Sequence, residues 1–175
     1  FTDCMPMRGE GNFRIQGDFR INTNHCFAFS HIYLDNNARI IVESGKTLGL
    51  DNCVVSGCGD NFWDAIVLEE GANLNIINSK ISGAFYAVYK KGSGNISSTD
   101  KTNIFNCKNG IYCDDNASNV IMDVDATTFE SITDIGLRIK NGTLNIQSST
   151  FKGMQAGIVA ELSNVNMLEN NFASI

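Results

Sequence analysis

Two short strings in this chain contain charged residues that could do chemistry. Asp114 and Asp115 form an acidic pair, and Arg138 and Lys140 flank Ile139 in the string RIK. Two carboxylates can serve as acid and as base or nucleophile in glycoside hydrolysis. An arginine can hold a carboxylate through two parallel hydrogen bonds. Hydrolysis or binding of sugars is therefore the first chemistry to compare with the rest of the sequence.

A second acidic pair, Asp123 and Asp125, is separated by one residue in the string MDVDAT. Residues two apart on a strand point to the same face and lie about 7 Å apart, so the two carboxylates could share a calcium ion. The other interpretation is a solvated edge without an ion, and the lack of a basic residue at the aligned positions favours it. Calcium is the only cofactor that the sequence suggests.

The cysteines allow two interpretations. Six cysteines in 175 residues are too few for a disulfide-held miniprotein, and no CxxC string indicates zinc. Cys53 and Cys58 are five residues apart, and Cys107 and Cys113 are six apart. Either pair could form a disulfide if its Cβ atoms lie about 3.8 Å apart. Alternatively, Cys113 fills an inward position as a small apolar residue.

These residues all lie in a segment that repeats. Six copies begin at Arg39, Ala65, Ala87, Gly110, Gly136 and Gly157, with successive offsets of 26, 22, 23, 26 and 21 residues. Within each copy apolar residues alternate, as in Leu74-x-Ile76 and Leu144-x-Ile146, which is the pattern of a strand with one buried face. Gly, Asn, Asp and Ser separate these short strands and favour tight turns. A repeat of this length cannot bury its own apolar face, so stacked copies forming a parallel β-helix are predicted.

Alignment of the copies predicts columns of residues along the stack. One inward column contains Val55, Ile81, Phe105, Phe129, Phe151 and Phe172. A second contains Ile66, Val88, Ile111, Leu137 and Ile158. Lys90 falls in a third inward column with Leu68, Cys113, Ile139 and Ala160. Either Lys90 is a buried functional lysine with a lowered pKa, or, as we expect, its strand ends early and the ammonium reaches water.

An outward column contains Val67, Tyr89, Tyr112, Arg138 and Val159. Two tyrosines and an arginine on adjacent turns can contact sugar rings, and the arginine can hold a carboxylate of the ligand. The alternative is packing between neighbouring strands, which needs no ligand. Tyr89, Tyr112 and Arg138 are therefore the candidate ligand-binding residues, with packing as the favoured interpretation.

The columns resemble those of right-handed parallel β-helix proteins of the pectate-lyase-like superfamily, across most of residues 27–175. The stretch ARIIVESGKTLGLDNCVVSGCGDNFWDAIVL, residues 38–68, is similar to the start of secreted β-helix modules in surface proteins of type IX-secreting bacteria. The resemblance implies an all-β, single-stranded, right-handed parallel β-helix of about six to seven turns. Residues 1–38 would be an N-terminal cap with a first partial turn, and residues 39–175 the repeats.

The string RIK also resembles an active-site tripeptide of polygalacturonases. That family pattern includes Asn-Thr-Asp, Asp-Asp and Gly-His-Gly before RIK, and this chain has only the Asp-Asp at 114–115. The two histidines, His25 and His31, lie in the predicted cap. We therefore expect no catalytic residue, with Arg138 and Lys140 flanking an inward isoleucine.

Charge and hydropathy narrow the possible partners. A net charge of −6 with 13 Lys and Arg disfavours nucleic acid as a partner, and no apolar run reaches the ~18 residues of a membrane span.

The sequence predicts a noncatalytic, extracellular structural or adhesive module of a surface protein or fibre, cut from a longer chain. The alternative is a carbohydrate-active β-helix: a polysaccharide lyase, a glycoside hydrolase or a glycan-binding module. Expected partners are further β-helix turns, a second copy joined end to end, and glycan surfaces.

Overall fold

The computed structural model describes residues 11–59 and 61–173. Within these residues the secondary structure consists of 22 short β-strands and contains no helix. The strands are β1 (Asn12–Ile15), β2 (Asp18–Ile21), β3 (His25–Ala28), β4 (His31–Leu34), β5 (Arg39–Val42), β6 (Thr47–Asp51), β7 (Val54–Gly57), β8 (Trp63–Leu68), β9 (Asn73–Ile77), β10 (Lys80–Ser82), β11 (Ala84–Lys90), β12 (Gly94–Thr99), β13 (Asn103–Phe105), β14 (Asn109–Cys113), β15 (Val120–Asp125), β16 (Thr128–Glu130), β17 (Ile135–Lys140), β18 (Gly142–Gln147), β19 (Thr150–Lys152), β20 (Ala156–Glu161), β21 (Asn164–Leu168) and β22 (Asn171–Ala173).

The strands form three parallel sheets, and each turn of the chain adds one strand to each sheet. Sheet A contains β1, β4, β7, β10, β13, β16, β19 and β22; sheet B contains β2, β5, β8, β11, β14, β17 and β20; sheet C contains β3, β6, β9, β12, β15, β18 and β21. The predicted all-β parallel β-helix is confirmed, with about seven turns.

Stacking starts before the repeats found in the sequence. Strands β1, β2 and β3 pair in parallel with β4, β5 and β6, so residues from Asn12 onward already form a turn of the helix. Residues 1–10 of the predicted cap lie outside the described residues. The sequence analysis assigned these residues to a cap with a first partial turn, because strands such as NFRI and DFRI expose most of their side chains and lack the apolar alternation of the repeats.

Strand pairing confirms the second inward column, which aligns Ile66, Val88, Ile111, Leu137 and Ile158. The aromatic column is corrected at one turn, because Ile104, and not Phe105, pairs with Ile81 and Phe129. Phe105 is aligned with Ser82 and is only partly buried. Two adjacent apolar residues leave the direction of alternation open, and backbone pairing decides it.

The aromatic column becomes a regular stack near the C-terminal end of the helix. The rings of Phe129 and Phe151 have centroids 4.8 Å apart with a 4° interplanar angle, and those of Phe151 and Phe172 are 5.0 Å apart at 9°. These separations match the ~4.8 Å spacing of neighbouring strands. The stack therefore follows directly from a phenylalanine at the same position in three successive turns.

The corner after sheet C carries a polar ladder on its inner side. Its members are Ser30, Cys53, Ser79, Thr102, Thr127 and Ser149, all buried. Ser79 accepts a hydrogen bond at 2.9 Å from the backbone N–H of Cys53, and donates one at 2.8 Å to the carbonyl of Ile77. Small hydroxyl or thiol groups thus satisfy buried backbone groups where the chain bends.

Two glycines that mark the start of repeats are required by close backbone approach. A Cβ on Gly110 would lie 2.1 Å from the carbonyl oxygen of Gly136, and a Cβ on Gly136 would lie 2.8 Å from that of Gly157. Because backbone atoms on both sides are fixed by the sheet, a larger residue cannot be accommodated by a rotamer change. The glycines at these repeat starts therefore have a packing reason.

Candidate functional site

The outward face of sheet B carries the column of residues predicted from the repeat. Tyr89 pairs with Val67 and with Tyr112, Tyr112 pairs with Arg138, and Arg138 pairs with Val159. Strands β11, β14 and β17 thus place two tyrosines and the arginine on three consecutive turns. The predicted register is confirmed, and contact with a ligand stays a prediction.

The structure adds a third tyrosine, Tyr86, that the sequence analysis missed. The pairing of β11 with β8 shifts register between Tyr86 and Val88, which leaves Ala87 as an extra residue in β11. Such a bulge re-aims side chains, so Tyr86 and Tyr89 contact each other although they are three residues apart. That spacing, in a repeat of period 2, was the available signal. We call Tyr86, Tyr89, Tyr112 and Arg138 the aromatic patch.

The rings of the aromatic patch pack tightly on one another. Tyr89 and Tyr112 are stacked with centroids 6.0 Å apart and an interplanar angle of 10°. Cζ of Arg138 lies 4.9 Å from the centroid of Tyr112. Tyr86 leans across the pair, tilted by 49° to Tyr89 and by 54° to Tyr112. The ring of Tyr112 is therefore held between Tyr89 on one neighbouring strand and Arg138 on the other.

A small apolar cluster lies beneath part of the patch, outside the main core. Ile41, Ala65 and Val67 are buried, and Tyr86 and Tyr89 pack against them. Burial raises the pKa of both of these tyrosines above the ordinary value, so the phenols stay neutral at physiological pH. The outer face of sheet B thus presents fixed, uncharged rings.

Arg138 is almost fully buried and is surrounded by hydrogen-bond acceptors. Its Nε and Nη2 donate to Oε1 of Glu161 at 3.2 and 2.9 Å, and Nη2 also donates to Oδ1 of Asp115 at 2.8 Å. Its Nη1 donates to the hydroxyl of Tyr112 at 2.7 Å and to the carbonyl of Cys113 at 3.4 Å. All three guanidinium nitrogens therefore have partners within the protein.

The two charged strings of the sequence meet in this network. Lys140 donates to Asp115 at 3.2 Å and lies 3.9 Å from Glu161. Burial alone would lower the pKa of Arg138, but hydrogen bonds to Asp115 and Glu161 outweigh it and hold that pKa above its ordinary value. The hydrogen bond from Arg138, with a second from Lys140, lowers the pKa of Asp115. Asp115, Arg138, Lys140 and Glu161 form a compact network of two positive and two negative charges.

The predicted calcium ligands lie on the outward side of β15, in sheet C. Asp123 accepts a hydrogen bond from the side-chain amide of Asn145 at 2.7 Å, and Asn166 donates to Asn145 at 2.8 Å. Asp125 is aligned with Gln147 on the next strand. Among the described residues, no group of three or more His, Cys, Asp or Glu could hold a metal ion. Calcium binding at Asp123 and Asp125 stays a prediction.

Lys90 corrects an expectation of the sequence analysis. It points inward in register with Leu68 and Cys113, and its side chain has no exposed area. Its Nζ does not reach water but donates to the carbonyl oxygens of Glu69 at 2.9 Å and Ala72 at 3.0 Å. Burial lowers the pKa of Lys90 to about 8. Through these two hydrogen bonds Lys90 stabilises the turn between β8 and β9 from the core side.

Neither of the two possible disulfides is formed, since Cys53, Cys58, Cys107 and Cys113 are free thiols. Cys53 belongs to the inner polar ladder, where its thiol donates to the carbonyl of Phe27 at 3.2 Å, whereas Cys58 is exposed. The members of this pair thus lie in different environments on either side of β7.

Cys107 and Cys113 are both buried, and Cys113 occupies the inward column beside Lys90. Burial raises the pKa of each of these two thiols to about 12. They fill space in the core, which was the alternative that the sequence left open for Cys113.

The histidines lie apart from the aromatic patch. His25 is on β3 of sheet C and His31 is on β4 of sheet A, where its ring stacks on Tyr33 at 4.0 Å.

In residues 11–59 and 61–173 there is no helix long and apolar enough to cross a membrane. The chain matches no protein-family model, no curated protein and no solved structure.

Proposed function

We propose that this chain is a noncatalytic structural and adhesive β-helix module of an extracellular or cell-surface protein, with glycans as its ligands. The single observation that carries the proposal is the aromatic patch, in which tyrosine rings and charged groups are fixed on the outer face of sheet B. Aromatic side chains with polar tips at a rigid surface are suited to binding sugars, which combine apolar ring edges with hydroxyls.

The fold supports adhesion because it presents the patch at little entropic cost. Tyr86 and Tyr89 are held by the apolar cluster beneath them, and Tyr112 by Arg138. Groups that are ordered before binding lose little conformational freedom when a ligand arrives. A surface of this kind suits repeated, weak contacts with an extended polymer.

The alternative is a carbohydrate-active enzyme, and one observation favours it. Asp115 lies next to Arg138 and Lys140, so the acidic and basic strings do meet in space. Against this, hydrolysis of a glycoside normally needs a second carboxyl group acting with a different pKa. Glu161 is the candidate for that group, but it shares the Arg138 guanidinium with Asp115.

The test measures binding and cleavage side by side. The chain is passed over immobilised neutral and uronate polysaccharides, with and without Ca²⁺, and the soluble polymers are assayed for unsaturated products and new reducing ends. We expect retention without cleavage. The double variant Tyr89→Ser/Tyr112→Ser should lose retention, whereas Tyr33→Ser, a matched tyrosine on sheet A, should keep it. Cleavage, or retention that is unchanged in the double variant, would contradict the proposal.

The proposal extends to contacts along the helix axis. The last described turn exposes the apolar side chains Leu162, Val165, Met167, Leu168 and Phe172. Exposed apolar groups on a turn with unpaired strand edges favour the addition of another strand layer. A further β-helix turn or a second copy would cover them. Sedimentation over a range of concentrations tests self-association of the chain, and a monomer at high concentration would exclude the second copy.

A further inference from the structure

We infer that the aromatic patch takes neutral, hydroxyl-rich glycans and discriminates against polyuronates. This inference rests on the proposed function, since it names the class of glycan that the same surface would bind. It departs from the expectation that Arg138 holds a carboxylate of the ligand.

The hydrogen-bond donors of Arg138 are all used within the protein. A guanidinium has five N–H groups, and Arg138 makes five donor contacts: two to Glu161 and one each to Asp115, Tyr112 and the Cys113 carbonyl. Its side chain is only 11% exposed. A uronate carboxylate would have to displace a protein acceptor to reach this guanidinium, so the patch lacks the paired donors that recognise such a group.

The carboxylates of Asp115 and Glu161 remain available to a ligand. The side chains of Asp115 and Glu161 are 72% and 42% exposed. No described residue donates a hydrogen bond to Oδ2 of Asp115. Ionised carboxylates only accept hydrogen bonds. These oxygens can therefore bind sugar hydroxyls through charge-assisted hydrogen bonds, and they repel a ligand carboxylate.

Tyr112 can also donate a hydrogen bond to a ligand. Its hydroxyl accepts a hydrogen bond from Arg138 at 2.7 Å, so its own proton is free to be donated away from the arginine. Both faces of its ring are occupied, by Tyr89 and by the guanidinium. Contact with sugar at Tyr112 is therefore made through its hydroxyl and ring edge, which suits a ligand with many hydroxyl groups.

Besides Lys140, which bonds to Asp115, two further lysines border the patch and must be included in the charge balance. Lys108 lies over the ring of Phe85 at 4.4 Å and is 3.9 Å from Asp134. Lys91 lies 6.0 Å from the Tyr89 ring centroid and has no acidic partner within 4.0 Å among the described residues. A single exposed ammonium is strongly hydrated and screened by salt, so it attracts polyuronates weakly at physiological ionic strength.

The experiment is affinity electrophoresis of the folded 175-residue chain in gels containing hydroxyethyl cellulose, galactomannan or polygalacturonate at 150 mM salt. We expect retardation by at least one neutral polymer and affinity at least about tenfold lower for polygalacturonate. Asp115→Asn should weaken retention by the neutral polymer about fivefold, because a charge-assisted hydrogen bond becomes a neutral one. Asp100→Asn, which removes an exposed carboxylate in a turn after sheet C, should change nothing. Circular dichroism confirms that both variants are folded.

The possible failures can be told apart. Retention by polygalacturonate as strong as that by the neutral polymers would overturn the inference and leave the proposed adhesive function intact. An increase in polygalacturonate retention with Asp115→Asn would support it, because that variant removes an exposed carboxylate that repels a uronate. Polygalacturonate retention that equals retention by the neutral polymers and disappears with Lys91→Gln would overturn it as well, by assigning recognition to that cation. If the wild-type chain is retained by no glycan, the proposed function fails, and this inference fails with it.

Discussion

The guanidinium of Arg138 donates a hydrogen bond to the hydroxyl of Tyr112 and lies 4.9 Å above the ring of the same residue. One side chain on β17 thus fixes both the polar tip and the face of an aromatic residue on β14. The pair is also the centre of the charge network with Asp115 and Glu161. Arg138 therefore stabilises the fold whether or not a ligand binds.

Replacement of Arg138 should cost more than replacement of an exposed arginine. Arg138→Met leaves Lys140 as the remaining cation of the network beside the carboxylates of Asp115 and Glu161, and it removes five donor contacts, so we expect the free energy of unfolding to fall by about 2 kcal/mol. Arg39, whose side chain is 39% exposed and bonds to Asp18, is the matched control on the same sheet. Arg39→Met should cost less than about 1 kcal/mol. Urea denaturation followed by circular dichroism measures both, and equal losses would contradict the network.

Lys90 should make stability depend on pH between about 8 and 10.5. Its folded pKa of about 8 lies below the ordinary value of 10.5, so the unfolded chain binds more protons in this window and stability rises with pH. Below pH 8 Lys90 is charged in both states, so its burial lowers the free energy of unfolding by a constant amount. The rise attributable to Lys90 is on the order of 3 kcal/mol, at about 1.4 kcal/mol per pH unit.

The measurement compares the wild type with Lys90→Met by urea denaturation at several pH values from 7 to 11. The difference in unfolding free energy between the two proteins should change across the window, because the variant lacks the titrating group. Lys80→Met, at an exposed position on β10, should follow the wild type throughout. A constant offset between wild type and Lys90→Met would show that Lys90 keeps an ordinary pKa.

Gly110→Ala should be far more damaging than Gly45→Ala. A methyl group on Gly110 would lie 2.1 Å from the carbonyl oxygen of Gly136, and strand pairing prevents the backbone from moving away. We expect a loss of about 3 kcal/mol or a failure to fold. Gly45 has φ of +69° and nothing within 4 Å of the added Cβ, so its replacement should cost only about 1 kcal/mol. Thermal denaturation ranks the two variants.

Among the four described free thiols, Cys58 alone should react quickly with a maleimide under native conditions. It is exposed, whereas Cys53, Cys107 and Cys113 are buried. Partial desolvation of its sulfur, together with a hydrogen bond to Asp35, raises the pKa of the Cys58 thiol. Its labelling rate should therefore still be increasing above pH 8. Peptide mapping after brief labelling identifies the site, and Cys58→Ser is the control. Early modification of Cys107 or Cys113 would show that the core opens readily.

The sequence predicted the repeat, the parallel stacking and the register of Tyr89, Tyr112 and Arg138, because these follow from residue offsets and from period-2 alternation. It failed where local patterns are ambiguous. Ile104 and Phe105 are adjacent apolar residues, so alternation could not decide which one points inward. Tyr86 joins the patch through the bulge at Ala87, and the sign of that bulge in the sequence was the three-residue spacing of Tyr86 and Tyr89.

The remaining misses concern polar groups whose partners are backbone atoms. The burial of Lys90 depends on the inward carbonyls of Glu69 and Ala72, whose directions the sequence does not reveal. The spacing of Cys53 and Cys58 allowed a disulfide, yet Cys53 takes a place that serine or threonine holds in other turns. Side-chain identity suggested chemistry at both positions, whereas backbone geometry gave them structural roles.

Sheet A has eight strands whereas sheets B and C have seven, so the first and last described strands, β1 and β22, lie on the same flank of the rod. For residues 11–59 and 61–173 alone, two copies placed end to end therefore cannot pair all three sheets across one joint. If β1 of a second copy paired with β22, its β2 and β3 would each lie one step of about 4.8 Å too far from β20 and β21. If its β2 paired with β20 instead, its β1 would fall on top of β22. A segment that supplies one strand to sheet B and one to sheet C would fill the two unoccupied strand positions. The parallel β-helix would then continue through the joint without a gap.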